Sequence, residues 1–139
     1  MNPLLIIGQA SGRMPGETLG GRCGARLASC AGMTLTEFLA RTDRVNLLEY
    51  WTDGWRMLEA RERCKDLVND IAAHRRTVLL GRWVAAAFRN KAPLFDWTDA
   101  FRDGGSLIAV APHPSGRNRW WNDPENVARA QVFWRDLLA

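Results

Sequence analysis

Long apolar runs are missing from this chain. No stretch approaches the roughly 20 apolar residues that a membrane-spanning helix needs, so no membrane partner is expected. The opening MNPLLIIGQA has an apolar run but neither a basic n-region nor a small-residue cleavage site. It therefore reads as a strand rather than a secretion signal, and the cytoplasm is the expected location. Cysteine is scarce. Cys23, Cys30 and Cys64 are an odd set with no Cys-x-x-Cys pair, which leaves a zinc or iron–sulfur site short of ligands and favours reduced thiols. Lysine is nearly absent, with 17 arginines against Lys65 and Lys91. No Gly-x-x-x-x-Gly-Lys loop occurs, which argues against nucleotide hydrolysis. Internal repeats, low-complexity tracts and linker-like stretches are also missing, so residues 1–139 read as one domain, expected to be a monomer.

Against these absences, 47% apolar and 24% charged residues are enough for a water-soluble domain with a core of its own. The net charge is +4. Arginine's planar fork suits phosphate oxygens, but an arginine-rich codon usage produces the same excess, so charge alone does not identify a partner.

Apolar runs predict short buried strands at 3–8, 44–48, 77–81 and 106–111. Between them, 24–31 reads as one or two helical turns stopped by Gly32. Thr34-Leu-Thr-Glu37 is a capping box opening a helix to Ala40. Residues 51–74 read as one helix with Trp51, Trp55, Leu58, Leu67, Val68, Ile71 and Ala72 on its apolar face, and Arg61, Glu62, Lys65, Asp66 and Asp70 on a solvated one. Residues 83–89 read as a helix and 91–105 as a loop. Asp123 followed by Pro124 opens a last helix to about Leu138. Strands alternating with helices predict an α/β fold with helices on both faces of a four-stranded, mainly parallel sheet. Such folds bind ligands outside the carboxyl ends of their strands. The four endings would bring Gly8-Gln9-Ala10-Ser11-Gly12, Asn46, Gly81-Arg82-Trp83 and His113-Pro114-Ser115-Gly116 to one edge.

The endings LLIIGQASG, RVNLL, TVLLGRWVAAAF and LIAVAPHPSG follow one another in the order seen in the uracil-DNA glycosylase superfamily. The first motif of that family reads GQDPY in one branch and GEAPG in another. Its last motif reads HPS and is followed by a loop that probes the DNA minor groove. GETLGGRCG, residues 16–24, is similar to a GRPFVGRAG segment of the alanine-bearing branch. Over nearly its whole length the chain resembles the smaller bacterial members of this superfamily. The resemblance implies a glycosylase-like α/β/α fold and hydrolysis of the N-glycosidic bond to uracil or a modified pyrimidine flipped out of DNA, with no metal or organic cofactor. There are departures. Ala10 stands where the GQDPY branch has its water-supporting aspartate, and Leu19 stands where an aromatic stacks on the base. The iron–sulfur cysteines of the GEAPG branch have no counterpart.

By resemblance, His113 is the donor that stabilises charge on the departing base, a kind of contact worth about 3–4 kcal/mol in hydrolytic sites. Its flanking prolines restrict the backbone on either side. The bland alternative is a strand-end histidine bonded for structure. Asn46 is the base-reading amide, since one side chain offers both donor and acceptor to a pyrimidine edge; otherwise it bonds loop backbone. Gln9-Ala10-Ser11-Gly12 reads as a small-residue turn whose main chain, with Gly8, approaches the nucleotide, next to Leu19. Ser115, Arg117, Arg119 and Trp120 are the expected contacts to a DNA strand, with Trp120 or Trp121 as an apolar wedge and the other packed inside. Trp51 and Trp83 are substitutes for the missing stacking aromatic, and Glu17, Glu49 and Asp53 are candidate water-positioning carboxylates. Three rival readings share these residues: a non-hydrolysing DNA-binding module, a base-modifying transferase, and a domain for an unrelated small ligand.

Overall fold

The computed structural model describes residues 2–10, 19, 21–48 and 56–139. Among them the strands are β1 (Leu4–Ala10), β2 (Asp43–Leu48), β3 (Arg76–Leu80), β4 (Thr98–Asp99) and β5 (Leu107–Ala111). They form one sheet in the order β2-β1-β3-β5-β4. Every pairing is parallel except β4 on β5. The fold is α/β with a mostly parallel, mixed sheet of five strands rather than four. The extra strand lies inside 91–105, which reads as a loop because two exposed residues carry no alternation that a pattern can register.

Residue alternation along the central strands separates two cores. Leu4, Ile6, Val78, Leu80, Ala109 and Ala111 face one side, where they meet α1 (Arg22–Ala31), α2 (Leu35–Ala40) and α6 (Pro124–Leu138). Leu5, Ile7, Leu79, Ile108 and Val110 face the other, against α3 (Met57–Asp66), α4 (Val68–Ala73) and α5 (Arg82–Ala87). Burial on both faces is why these strands read as continuous apolar runs. On α6, Ala130, Phe133, Trp134 and Leu138 recur at helical spacing and are all buried.

The helix ends follow their signals. Thr34 Oγ1 accepts the Glu37 N–H at 3.1 Å and donates to the Glu37 carboxylate at 3.2 Å. Asp123 accepts the Glu125 N–H at 2.9 Å, with Pro124 opening α6. Gly32 closes α1 in the left-handed region, at φ 74.

The expected helix over 51–74 is corrected. Residues 51–55 lie outside the described residues, and the rest is two helices broken at Leu67. Its buried stripe is Ala60, Cys64, Leu67 and Ile71, while Leu58 is 80% exposed and Val68 45% exposed. Ala60 and Cys64, at i and i+4, let α3 lie close to the sheet, and Leu67 and Ile71, at i+7 and i+11, continue the face along α4, while Leu58 and Val68 are turned outward. β1 also runs further than expected, past Gly8, which pairs with Asn46, to Ala10, which pairs with Leu48. The main chain of 9–10 is therefore strand and not turn.

Candidate functional site at the carboxyl edge

The sheet order creates a crevice. From β1 the chain passes to β2 on one side, then crosses to β3 and β5 on the other. The switch point, where parallel sheets hold their ligands, therefore lies between β1 and β3. β1 continues to Ala10 past its last pairing with β3, which is Ile7 with Leu79. Across this edge, left to right, come Asn46, Gly8 to Ala10, Gly81 and His113.

Asn46 lies beside Gly8 in the β1–β2 register. Alternation puts both on the face that carries α1 and α6, since Ile6 belongs to that layer. A Cβ on Gly8 would stand 2.6 Å from Asn46 Oδ1. Glycine is thus what allows the amide to lie over the neighbouring strand. Gly81 has the same relation to His113. Its φ is +93, and a Cβ there would stand 3.0 Å from the His113 Cβ. The Gly81 N–H donates to the Ala111 carbonyl at 2.7 Å, which keeps β3 and β5 together at the edge.

His113 is half-buried and held from its own loop. The Ser115 N–H donates to His113 Nδ1 at 3.1 Å, so Nδ1 is the acceptor and the ring proton sits on Nε2. Burial pushes the His113 imidazolium below its ordinary pKa, which favours the same neutral form. Nε2–H has no acceptor among the described residues. The His113 carbonyl accepts two side-chain donors, Asn118 Nδ2 at 2.9 Å and Trp121 Nε1 at 2.8 Å. Asn118 also caps the short 3-10 turn Arg119–Asn122 by accepting the Trp120 N–H at 3.2 Å. Arg26 of α1 donates to the Ser115 carbonyl at 3.4 Å, and its guanidinium lies 5.0 Å from the centre of the Trp121 ring. Asn118, Trp121 and Arg26 thus fix the histidine loop from three directions. Only Trp121 carried a signal in the sequence, as half of an aromatic pair; Arg26 is remote in sequence and carried none.

The remaining candidates separate. Arg117 and Arg119 are exposed, and Ser115 is half-buried. Trp121 is buried, and Trp120 is half-buried with its ring 5.8 Å from Phe95 and 4.9 Å from Trp121. Leu19, in the left-handed region at φ 60, packs on the core shared with Trp121. A Cβ on Gly24 would collide with the Leu19 carbonyl, so glycine there lets the chain cross the start of α1. Trp83, at the start of α5, is 58% exposed. Ser11, Gly12, Glu17, Glu49, Trp51 and Asp53 lie outside the described residues.

Among the described residues, no three His, Cys, Asp or Glu side chains come together to hold a metal ion. Burial raises the thiol of Cys64 to about 11, which leaves it unreactive near neutral pH. No helix among the described residues is long and apolar enough to cross a membrane. Comparison with protein-family models and with curated proteins finds no match.

Proposed function

We propose that this protein is a DNA glycosylase that hydrolyses the N-glycosidic bond of uracil or a modified pyrimidine flipped out of DNA, on a uracil-DNA glycosylase-like fold. The observation that carries the reading is the His113 ring: neutral, with no acceptor for Nε2–H among the described residues, at the same carboxyl edge as the Asn46 amide. The parallel order β2-β1-β3-β5 supports the fold part of the reading.

Asn46 and His113 stand on strands three spacings apart, about 14 Å between backbones, which leaves room for a pyrimidine between their side chains. Asn46 reads the base edge with donor and acceptor together. As the C1′–N bond breaks, its electron pair goes to the base and negative charge develops on N1 and on the exocyclic O2 carbonyl oxygen, the base oxygen nearest C1′. The His113 Nε2–H donates to that oxygen. A neutral donor suits this role because it stabilises charge without first giving up a proton. Water adds to C1′ and releases a proton, and the departing base anion takes one up. Arg117 and Arg119, both exposed, hold phosphates of the strand.

The test is base release from an oligonucleotide with one uracil, followed by alkaline cleavage at any abasic site. Wild type cleaves at the uracil, and His113→Ala falls about 10²- to 10³-fold, the usual loss for one such donor. An intact oligonucleotide after incubation with wild type, for uracil and for modified pyrimidines, sinks the proposal. Ala10, at the place of the water-supporting aspartate, favours one second reading: a binding module that holds the same strand with salt-sensitive affinity and forms no abasic product.

A further inference from the structure

Between α3 and α5 lies a cleft of about 830 Å³ lined by Arg61, Arg82, Ala86, Arg89, Asn90 and Lys91. Among the described residues, four cationic side chains meet there and no carboxylate does. The acids of α3 are turned to other partners: Glu59 to Arg56 at 3.3 Å, Glu62 to Lys65 at 3.0 Å, and Asp66 to Arg63 at 3.8 Å. Among the described residues none of the four cleft cations makes an ion pair, and the Arg61 Nε is buried without an acceptor. The cleft is also built rather than accidental. Arg82 donates to the Ala92 carbonyl at 3.1 Å, and the Asn90 side chain accepts the Ala92 N–H at 2.9 Å, so the turn after α5 is tied back to its first residue. Arg89 holds the left-handed region at φ 57, a strained conformation for a residue with a Cβ. Glycine would remove that strain and would also remove the charge.

We infer that this cleft binds the phosphodiester backbone of a nucleic acid strand running away from the carboxyl edge. Arg82 follows Gly81, which lies against His113, so the cations begin one residue from the candidate site. Their spread over α3, α5 and the following turn suits successive phosphates better than one free anion. The inference rests on nucleic acid being the partner in the proposed function, and not on base cleavage.

Binding is measured by fluorescence anisotropy with a labelled, uracil-free single-stranded oligonucleotide over a sodium chloride series. Three proteins are compared: wild type, Arg89→Ala with Lys91→Ala, and a charge-matched control, Arg41→Ala with Arg75→Ala, whose exposed arginines precede β2 and β3 at the opposite edge. The cleft variant loses roughly tenfold in affinity at low salt, and its log–log salt slope flattens by about 1.4, or about 0.7 for each lost phosphate contact. The control changes neither. Unchanged affinity and slope in the cleft variant overturn the inference, as does failure of wild type to bind the strand. Equal displacement of the probe by polyglutamate or by inorganic phosphate, at matched charge, overturns it too, because the cleft is then a general anion site. Base release is read separately from uracil-containing DNA, so loss of either result leaves the other standing.

Discussion

The chain has two histidines, and they sit at opposite edges of the same sheet. His74 comes just before β3, at the amino edge; His113 comes just after β5, at the carboxyl edge. His74 is 6% exposed, with Nδ1 2.6 Å from the Asp70 carbonyl and Nε2 2.7 Å from the Asp43 carboxylate. Asn2 adds two more hydrogen bonds to Asp43, and the His74 carbonyl accepts the Ser106 hydroxyl at 2.9 Å. Both ring nitrogens of His74 are used up in holding α4, β2 and β3 together. His113 spends one nitrogen on its own loop, and the other has no acceptor among the described residues. A histidine whose hydrogen bonds are all made is a structural part; one with a donor left over at a switch point is available for chemistry.

The widest separation between the two comes from truncating each. His113→Ala removes about 10²- to 10³-fold of base release, on the proposed mechanism, and leaves the melting temperature nearly unchanged, because the residue is half-buried and its ring makes one local bond. His74→Ala does the reverse. It loses roughly 2–3 kcal/mol of stability, since it removes two hydrogen bonds and empties a buried side-chain site, while activity per folded molecule is retained. Base release and thermal melts on both variants decide it. Equal stability losses in the two would erase the contrast.

That contrast was only half legible in the sequence. The strand endings were readable because apolar runs such as Ile6-Ile7 and Val78-Leu79-Leu80 stop at glycine or proline, and parallel strands carry their endings to one edge. Asp123-Pro124 and the Thr34–Glu37 box were readable because capping is local. Whatever depends on three dimensions was not. His74 carries no signal in the sequence, since its carboxylate partner Asp43 becomes a neighbour only through the fold. Arg61 read as part of a solvated face, yet it forms a cleft with cations of α5 and the turn after it. Large side chains suggested the wrong stripe on α3, where Ala60 and Cys64 set the packing.

A smaller effect sharpens the carboxyl side. Gly81→Ala strains a φ of +93 and places a methyl group 3.0 Å from the His113 Cβ. The expected cost is about 1–2 kcal/mol of stability. The displaced ring should also lower base release about tenfold, since misplacement of a positioned group by an ångström costs even more. Gly116→Ala is the comparison. Its Cβ would meet nothing and its backbone is not left-handed, so both readouts stay near wild type. The two variants, measured by thermal melts and base release, separate pressure on His113 from loss of glycine as such.

The smallest expected effects lie in pH, where the two edges fall into different windows. Burial lowers the His113 pKa below the ordinary value of about 6.5. At higher pH the ring is neutral whether the chain is folded or not, and nothing is lost. As pH falls through about 6.5 the unfolded chain takes up a proton before the folded one does, so stability declines until the folded value is passed as well. At Asp43, burial pushes the carboxyl up, but hydrogen bonds from His74 and Asn2 together outweigh it and hold the pKa below its usual value. Its contribution is complete above the ordinary carboxylate value of about 3.9 and is lost as pH falls through the depressed folded value. The Asp43 side chain is a third exposed, so solvent screens the pair and Asp43→Asn costs only about 1 kcal/mol near neutral pH. Melting temperatures from pH 8 to pH 3 in wild type, His113→Ala and Asp43→Asn test the assignment. Loss of the decline below about 6.5 in His113→Ala alone, and of the steeper decline below about 3.9 in Asp43→Asn alone, is the expected pattern. Should Asp43→Asn instead remove the upper decline, the neutral ring at the carboxyl edge is misassigned, and the proposed donor loses its physical basis.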